Sequence, residues 1–371
     1  MFLKDLKLIN FKNYAEANIS FSEKINCFTG LNGAGKTNIL DAVYYMSFTK
    51  SYFNHTDSLH VKKGDEFFLV QGNYERSEKN ESISCGYKKS TGKSFKRNDK
   101  KYKKFSEHIG LLPLIIVSPD DNKLIIGSGE ERRKYIDSVI SQYDRSYLNE
   151  LIKYQRLLSQ RNKFLKSDSL ASRSAKDTIE IYNMQLHNSG TIIHRKRQEF
   201  VKNLQPLFEK YYNTISEEKE SIALKYKSQL NQNELLSLLN NNFEKDRALQ
   251  YTYYGIHRDD LKLTIDDFKL SKAGSQGQQK TFLIALKFAQ YEFIKQLSRL
   301  NPILLLDDIF DKFDADRIEK IVELIREDNF GQIFITDTNP ERISRVLHKT
   351  KTEYKLFEVA NNTITEERTK P

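Results

Sequence analysis

The sequence predicts an α/β fold in which one parallel-sheet lobe is built from both ends of the chain. Two apolar runs typical of buried parallel strands, 25–29 and 302–308, lie far apart in a chain of 371 residues. Between them, residues 130–250 contain a single proline, Pro206, and are rich in Leu, Lys, Gln and Asn, as long helices are. A mainly helical lobe is therefore predicted as an insertion into the sheet lobe.

The domain boundaries follow from this change of pattern. The predicted parts are 1–110 for the N-terminal part of the sheet lobe, 111–250 for the helical lobe, and 251–371 for the C-terminal part. Within the helical lobe, the Ser- and charge-rich stretch 167–176 is expected to be a turn or a mobile tip between helices. No internal repeat and no sustained heptad pattern is present.

Residues 30–37 form a complete GxxxxGKT phosphate loop, preceded by the apolar run 25–29 and followed by a predicted helix to Phe48. The glycines let backbone N–H groups face inward at a helix N-terminus, where partial positive charge attracts an anion. Lys36 is predicted to reach the β- and γ-phosphates of a nucleoside triphosphate, and Thr37 to bind Mg²⁺. The predicted nucleotide-binding loop is Gly30, Leu31, Asn32, Gly33, Ala34, Gly35, Lys36 and Thr37.

The apolar run 302–308 ends in two carboxylates, Asp307 and Asp308. In open α/β sheets, ligands bind at the carboxyl ends of the strands, so both acids are expected at the nucleotide site. Asp307 is predicted to act on Mg²⁺, directly or through water, and Asp308 to orient or deprotonate the attacking water. Lys36, Asp307 and Asp308 are the predicted catalytic set.

A turn that opens a long helix lies about thirty residues before these acids. It contains Ser275, Gly277 and Gln278, and the Ser-x-Gly-Gln pattern at a helix start is the signature of ABC-type ATPases. In that class the signature of one subunit completes the phosphate-loop site of another, which predicts an ATP-sandwiched homodimer. An ordinary helix N-cap has the same letters and remains the alternative for the turn taken by itself.

Two further positions bear on the class of ATPase. Asp314 is at the position where ABC-type enzymes carry a dimer-contacting acid. Thr336 and Asp337 follow a predicted strand at the position where transporter ATPases carry a histidine that senses the γ-phosphate. The lack of a histidine there argues against a transporter ATPase.

The chain is basic, with 60 Lys and Arg against 50 Asp and Glu and a net charge of +10. Residues 87–105 hold nine basic residues and one acid, and the Asn98-Asp99 pair predicts a hairpin turn between two basic strands. Residues 153–202 hold eleven basic residues and four acids. Such runs are often only solvated surface, so they do not identify a ligand alone.

Several motifs together resemble those of the RecF family of bacterial recombination mediators, which are SMC-like ABC ATPases without the long coiled coil. The resemblance extends over nearly the whole chain. The matching segments are 10–14 (Asn-Phe-Lys-Asn-Tyr), 119–137 with its Pro-Asp-Asp triplet and Arg-Arg pair, 255–260 (Gly-Ile-His-Arg-Asp-Asp), the signature turn and the Asp307-Asp308 pair. Gly129 and Ile256 replace prolines that are usual in the family.

The resemblance implies a function in recombinational DNA repair and replication. It implies a slow, Mg²⁺-dependent ATPase that acts as a conformational switch, binds double-stranded and gapped or junction DNA, and works with RecR and RecO to promote RecA loading. Lys12 and Asn13 join the ATP-binding residues on this basis. The basic runs become candidates for phosphate contacts that are independent of DNA sequence. These candidates are Lys96, Arg97, Lys100, Lys101, Lys103, Arg195, Lys196 and Arg197.

Two other functions share some of these motifs. A transporter ATPase subunit would have the signature and both acids, but it needs a membrane partner. A structural SMC-like tether would have similar heads, but it needs hundreds of coiled-coil residues.

The remaining composition indicates a cytoplasmic protein. No signal peptide or apolar run long enough to span a membrane is present. Cys27 and Cys85 lack metal or redox spacing and are expected to be reduced core thiols. His257, beside Arg258, is expected either to line the nucleotide site or a lobe interface, or to form structural hydrogen bonds.

Overall fold

The computed structural model describes residues 1–167, 170, 175–216, 220–310, 315–326, 330–349 and 352–370. The chain forms two compact units. Unit 1 comprises Met1–Asp121, Tyr211–Glu217 and Lys280–Pro371, and unit 2 comprises Asn122–Lys210 and Glu218–Gln279.

The elements are named in chain order. The strands are β1 (Phe2–Phe11), β2 (Tyr14–Ser20), β3 (Ile25–Thr29), β4 (Phe67–Arg76), β5 (Lys79–Lys88), β6 (Gly92–Arg97), β7 (Lys100–Lys101), β8 (Leu114–Val117), β9 (Ile222–Lys227), β10 (Asp260–Ile265), β11 (Phe268–Lys269), β12 (Ile303–Asp307), β13 (Ile333–Asp337), β14 (Tyr354–Ala360) and β15 (Thr363–Lys370). The helices are α1 (Lys36–Phe48), α2 (Lys123–Ile126), α3 (Gly129–Tyr143), α4 (Arg145–Leu165), α5 (Ala175–Ser216), α6 (Leu235–Asn241), α7 (Phe243–Leu249), α8 (Leu270–Ala273), α9 (Gln276–Ser298), α10 (Ala315–Arg326) and α11 (Pro340–Lys349).

A six-stranded, mostly parallel sheet in unit 1 carries the phosphate loop. Its order is β15-β14-β3-β13-β12-β8, and only the edge strand β15 pairs antiparallel. Every residue of β3, β12 and β13 is buried, which is why these strands are apolar runs without alternation. The two runs predicted from the sequence thus lie in one sheet, separated only by β13.

The second sheet of unit 1 is an antiparallel meander with the order β2-β1-β4-β5-β6-β7. In β4, buried and more accessible residues alternate, as expected for a sheet with one face on the core. The turn between β6 and β7 is formed by Asn98 and Asp99, whose φ values of 47° and 62° suit a tight two-residue hairpin. This confirms the predicted basic hairpin.

One hydrophobic core connects the two sheets and α1. Val43 of α1, Leu8 of the meander and Leu305 of the parallel sheet belong to the same buried cluster. The buried Gln332 links the sheets by hydrogen bonds. Its Nε2 donates to the carbonyl oxygen of Leu3 at 2.8 Å, and its Oε1 accepts from Leu3 N at 2.7 Å, across 329 residues of sequence. The first strand is therefore held by a residue close to the other end of the chain.

Unit 2 contains α2–α4, α5 as far as Lys210, α6–α8 and a three-stranded sheet with the order β11-β10-β9. The predicted lobe is therefore helical but also contains a small sheet that was not predicted from the sequence. Because β10 pairs with β9, residues 251–279 belong to unit 2, and the predicted boundaries near 110 and 250 are corrected to 121 and 279. Most of the expected 167–176 tip lies outside the described residues. Over the described ranges, no helix has the length and apolarity needed to cross a membrane.

The two cysteines are free and buried in unit 1, as expected. Burial raises the pKa of both Cys27 and Cys85 above the ordinary value, so both stay protonated thiols.

Candidate nucleotide site and basic surfaces

The phosphate loop leaves β3 and ends in the first turn of α1. Gly30, Gly33 and Gly35 have φ values of 148°, 79° and 113°, in the region that side chains rarely adopt. At Gly30 a Cβ atom would lie 2.2 Å from the carbonyl oxygen of Val359, so this position also has no room for a side chain. The loop therefore needs glycine at these places to follow its path.

Lys36 is buried and its ammonium group is held by the loop itself. Its Nζ donates to the carbonyl oxygens of Gly30 at 2.7 Å and Leu31 at 2.9 Å. Burial lowers the pKa of Lys36, and the charges of Asp308 and Asp307 oppose that shift. The ammonium thus lies beside the two acids predicted from the sequence, in a site made by one end of the parallel sheet.

Thr37, Asp307 and Thr336 form a hydroxyl–carboxylate–hydroxyl chain. Thr37 Oγ1 donates to Asp307 Oδ1 at 3.0 Å, and Thr336 Oγ1 donates to the same oxygen at 2.8 Å. Burial raises the pKa of Asp307, while the hydroxyl hydrogen bonds favour its charged form. One carboxylate and one hydroxyl fit Mg²⁺, which usually takes few protein ligands and fills its shell with phosphate oxygens and water.

Asp308 lies in a strained backbone conformation. Its φ is 48°, and its N–H points to Thr336, with 3.0 Å to Oγ1 and 3.2 Å to the carbonyl oxygen. Its Oδ1 is buried and has no hydrogen-bond partner among the residues that the structure describes. A carboxylate oxygen without a donor can accept a proton or a hydrogen bond from a substrate water.

The strand β13 contributes more than the sequence suggested. In the sequence, Thr336 was considered only because transporter ATPases carry a histidine at its position. In the structure, it bridges the Asp307 carboxylate and the Asp308 backbone. Asp337 is fully buried next to it, accepts from Asn339 N at 2.7 Å and pairs with Arg342 at 3.2 Å. Burial raises the pKa of Asp337. A polar pair at the carboxyl end of a buried strand was the available signal.

Lys12 and Asn13 lie beside the loop but have internal partners. Lys12 Nζ forms an ion pair at 2.6 Å with Asp41, a fully buried residue of α1. Asn13 Nδ2 donates to the carbonyl oxygen of Ala34 at 3.3 Å, and Asn13 Oδ1 accepts from Asn38 at 2.6 Å. Lys12 therefore supports α1, Asn13 supports both the loop and α1, and the contact of either residue with ATP remains a prediction.

The signature turn begins α9 and belongs to unit 2. Ser275 Oγ accepts from Gln278 N at 3.2 Å, and Ser275 N donates to Gln278 Oε1 at 2.6 Å, which is a reciprocal capping box. Gln278 Nε2 also donates to Glu220. Ser275 is exposed and Gly277 follows it in the first turn. The ordinary cap is thus present, and the exposed hydroxyl at the start of a 23-residue helix is also placed to meet an anion.

Comparison with known proteins identifies the family. The family model described as the RecF/RecN/SMC N-terminal domain matches residues 2–365. The DNA replication and repair protein RecF of Flavobacterium johnsoniae is 50% identical over 357 residues, which are 96% of this chain and 99% of that protein. The chain belongs to the RecF family. RecF of Bacteroides thetaiotaomicron is 46% identical over 367 residues, 99% of each chain.

Solved structures agree with this family and confirm the predicted fold class. The recombination mediator protein RecF-ATP of the RecFOR pathway has a TM-score of 0.88 at 29% identity and covers 99% of this chain and 98% of its own. An Smc head domain with an extended coiled coil from Pyrococcus furiosus has a TM-score of 0.58 at 17% identity, covers 99% of this chain and 96% of its own, and shares the fold. The ABC-type, SMC-head-like lobe with an insertion is thus confirmed.

Four of the five hairpin residues predicted to contact DNA are exposed. These are Lys96, Lys100, Lys101 and Lys103. Arg97 is only half-exposed, and its Nε donates to Glu81 Oε2 at 2.8 Å. Two aromatic residues of the same segment, Phe95 and Tyr102, pack against the buried His108. The lysines form the charged surface and the rings belong to the core.

The cluster on α5 is divided between surface and interior. Arg195 is exposed, and Lys196 pairs with Asp144 at 2.8 Å. Arg197 is buried and pairs at 2.9 Å with both Asp137 and Asp259. The prediction that Arg197 contacts DNA is therefore wrong, because a buried and doubly paired guanidinium cannot reach a phosphate.

The two remaining predicted positions, His257 and Asp314, have different outcomes. His257 forms structural hydrogen bonds in unit 2: its Nε2 donates to the carbonyl oxygen of Thr252 at 3.0 Å, and its Nδ1 accepts from Tyr154 Oη at 3.0 Å. His108 has the same pattern in unit 1, with Met46 O as acceptor and Tyr102 as donor. Asp314, the predicted dimer-contacting acid, lies outside the described residues.

Proposed function

We propose that this protein is an ATP-dependent DNA-binding protein of recombinational repair and replication. The observation that carries the proposal is the arrangement of Lys36, Thr37, Asp307 and Asp308 at one end of the parallel sheet. These residues come from positions 271 apart in the sequence and together supply the parts that phosphoryl transfer requires. The names of the relatives, DNA replication and repair protein and recombination mediator, support the process in which the site is used.

The residues have distinct roles in ATP hydrolysis. Lys36 leaves the carbonyl oxygens of Gly30 and Leu31 and binds the β- and γ-phosphates, where its charge offsets theirs. The Thr37 hydroxyl and the Asp307 carboxylate hold Mg²⁺, which neutralises charge on the phosphate oxygens when it is bound. The loop N–H groups at the start of α1 bind the remaining phosphate oxygens.

Asp308 orients or deprotonates the attacking water through its carboxylate oxygen Oδ1, which no described residue hydrogen-bonds. Its side chain is one methylene shorter than the Glu usual in transporter ATPases, so turnover is slow and hydrolysis acts as a switch. In an ATP-sandwiched homodimer, Ser275, Gly277 and Gln278 of one copy contact the γ-phosphate bound by the other copy. The helix dipole of α9 and the exposed Ser275 hydroxyl support this role.

The DNA surface is the exposed part of the basic hairpin, namely Lys96, Lys100, Lys101 and Lys103, with Arg195 as a further candidate. These side chains contact phosphates of duplex and junction DNA without reading sequence. RecR and RecO are the protein partners, and RecA loading at gaps is the outcome that this family implies.

The proposal is tested by DNA binding with and without ATP, using duplex, single-stranded and junction substrates with wild type and Lys36→Arg. A broad guanidinium cannot replace the point charge of lysine between phosphates, so the variant keeps its fold and loses hydrolysis and ATP-dependent DNA binding. Hydrolysis and DNA binding at wild-type levels in Lys36→Arg would refute the nucleotide site.

The hairpin is tested by changing Lys100, Lys101 and Lys103 together to Gln. Each lost phosphate contact lowers the slope of log affinity against log salt by about one, so duplex affinity falls and its salt dependence flattens. The matched control changes three exposed lysines of the unit 2 sheet, Lys225, Lys262 and Lys269, to Gln. Equal effects of the two triple variants would show that only net charge matters.

A further inference from the structure

Three tyrosines and two cations form a cluster on unit 2. None of these five residues belongs to the nucleotide site or to the basic hairpin. Lys245 Nζ lies 3.5 Å from the ring centroid of Tyr253 and 5.2 Å from that of Tyr254. The Arg258 guanidinium lies 5.2 Å from the Tyr251 centroid and 5.8 Å from that of Tyr253. These five residues are called the tyrosine–cation cluster below.

The cations of the cluster are available to a ligand. Lys245 and Arg258 are exposed, and within the described part of the chain neither forms an ion pair with a carboxylate. Their neighbour Arg247, in contrast, pairs with Glu244 at 3.5 Å. The three tyrosines are half-buried, so each side chain is partly accessible, and Lys245 lies over the ring of Tyr253. The cluster therefore combines uncompensated positive charge with accessible aromatic surface.

A buried polar network holds the cluster in place. Arg161 is fully buried and donates to Asp246 at 2.7 Å and to Thr252 Oγ1 at 2.7 Å. Asp246 in turn accepts from the backbone N–H of Tyr253 at 2.9 Å. The backbone on which the tyrosines are mounted is thus fixed from the interior, so little side-chain and loop ordering is needed when a ligand binds.

We propose that the tyrosine–cation cluster binds unpaired nucleotides of single-stranded DNA. Bases stack on the accessible parts of the tyrosine rings and on the Arg258 plane, and Lys245 and Arg258 attract the phosphates between them. Duplex DNA does not fit this chemistry, because its bases are already stacked and their faces are covered. The inference rests on the proposed DNA-binding function and adds a second site, which takes the unpaired strand while the hairpin takes duplex.

The experiment measures binding of a fluorescein-labelled oligothymidylate and of a duplex of equal length to the full chain. The test variant is Tyr251→Leu with Tyr253→Leu, which removes the rings and keeps apolar bulk. We expect its oligothymidylate affinity to fall at least about tenfold, with an unchanged salt slope and an unchanged duplex affinity. Tyr182→Leu, at another half-buried tyrosine of unit 2, is the matched control and should leave both affinities unchanged.

A second variant, Lys245→Gln with Arg258→Gln, separates charge from stacking, and the loss of two phosphate contacts should lower the single-strand salt slope by about 1.4. Oligothymidylate affinity unchanged in both variants overturns the inference, as does an equal loss for duplex and single strand. Unchanged single-strand affinity with lost binding of a partner protein assigns the cluster to that protein instead. If the wild type binds no DNA of any form, the proposed function fails as well.

Discussion

The burial of Arg197 leads to a prediction that separates structural from DNA-contacting arginines on one helix. Arg197 is buried between Asp137 and Asp259, whereas Arg195, two residues away on α5, is exposed. Changing Arg197 to Met leaves two carboxylates without their cation, which typically costs about 3–5 kcal/mol. Each acid keeps one tyrosine donor, Tyr147 to Asp137 and Tyr226 to Asp259, so we expect the lower end, about 3 kcal/mol.

The assay is urea unfolding followed by circular dichroism and by the fluorescence of the 20 tyrosines, since the chain has no tryptophan. Arg195→Met is the matched control and should change stability by less than about 0.5 kcal/mol, because it removes an exposed side chain. DNA affinity per folded molecule should not change in Arg197→Met. If both variants have the same stability, the two ion pairs of Arg197 do not stabilise unit 2 and the reasoning is refuted.

The remaining predictions concern the nucleotide site and pH. Thr336→Val removes the hydroxyl that joins Asp307 to Asp308, so single-turnover hydrolysis should slow about tenfold or more while ATP affinity stays similar. Thr336→Ser keeps the hydroxyl and should restore the hydrolysis rate. Equal loss of hydrolysis in both variants would contradict the hydroxyl's role. Ser275→Arg should block ATP-dependent dimerisation in sedimentation without weakening ATP binding, and full dimerisation would remove the signature role. Burial lowers the pKa of His108 and His257 to about 4, so unfolded chains bind more protons below pH 6.5. Urea midpoints should fall from about pH 7 to pH 5, and a flat profile would contradict neutral buried histidines.

The parts of the site that the sequence predicted have strong local signals. The phosphate loop, β12 with its two acids, and α9 with its cap are each contained in one short segment. Their bounds in the structure differ from the predictions by a residue or two. The hairpin was also predictable, because the Asn98-Asp99 pair adopts the positive φ values that a tight turn requires.

The parts that were missed depend on partners distant in sequence. Thr336 hydrogen-bonds to Asp307, 29 residues away, and Lys12, which was predicted only to bind ATP, pairs with Asp41. No local pattern shows these two pairings. The burial of Arg197, in contrast, could have been predicted from the sequence. Residues two apart on a helix point to different sides, and Ile193, Arg197, Phe200 and Leu204 share the spacing of a buried face. The sheet of unit 2 was not predicted, because its strands lie within or next to a segment whose composition is typical of helices.

The pairing of β3 with strands far along the chain affects when the nucleotide site can form during synthesis. β3, which leads into the phosphate loop, pairs with β13 and β14, and these strands come from the last part of the chain. At about 5–20 residues per second, a ribosome needs roughly 15–60 s to reach β13 after it has completed β3. During that time a nascent chain contains the whole GxxxxGKT motif without the sheet that shapes it. ATP binding therefore becomes possible only after β13 and β14 have been synthesised, so a nascent chain that stalls before β13 carries the motif without the nucleotide site.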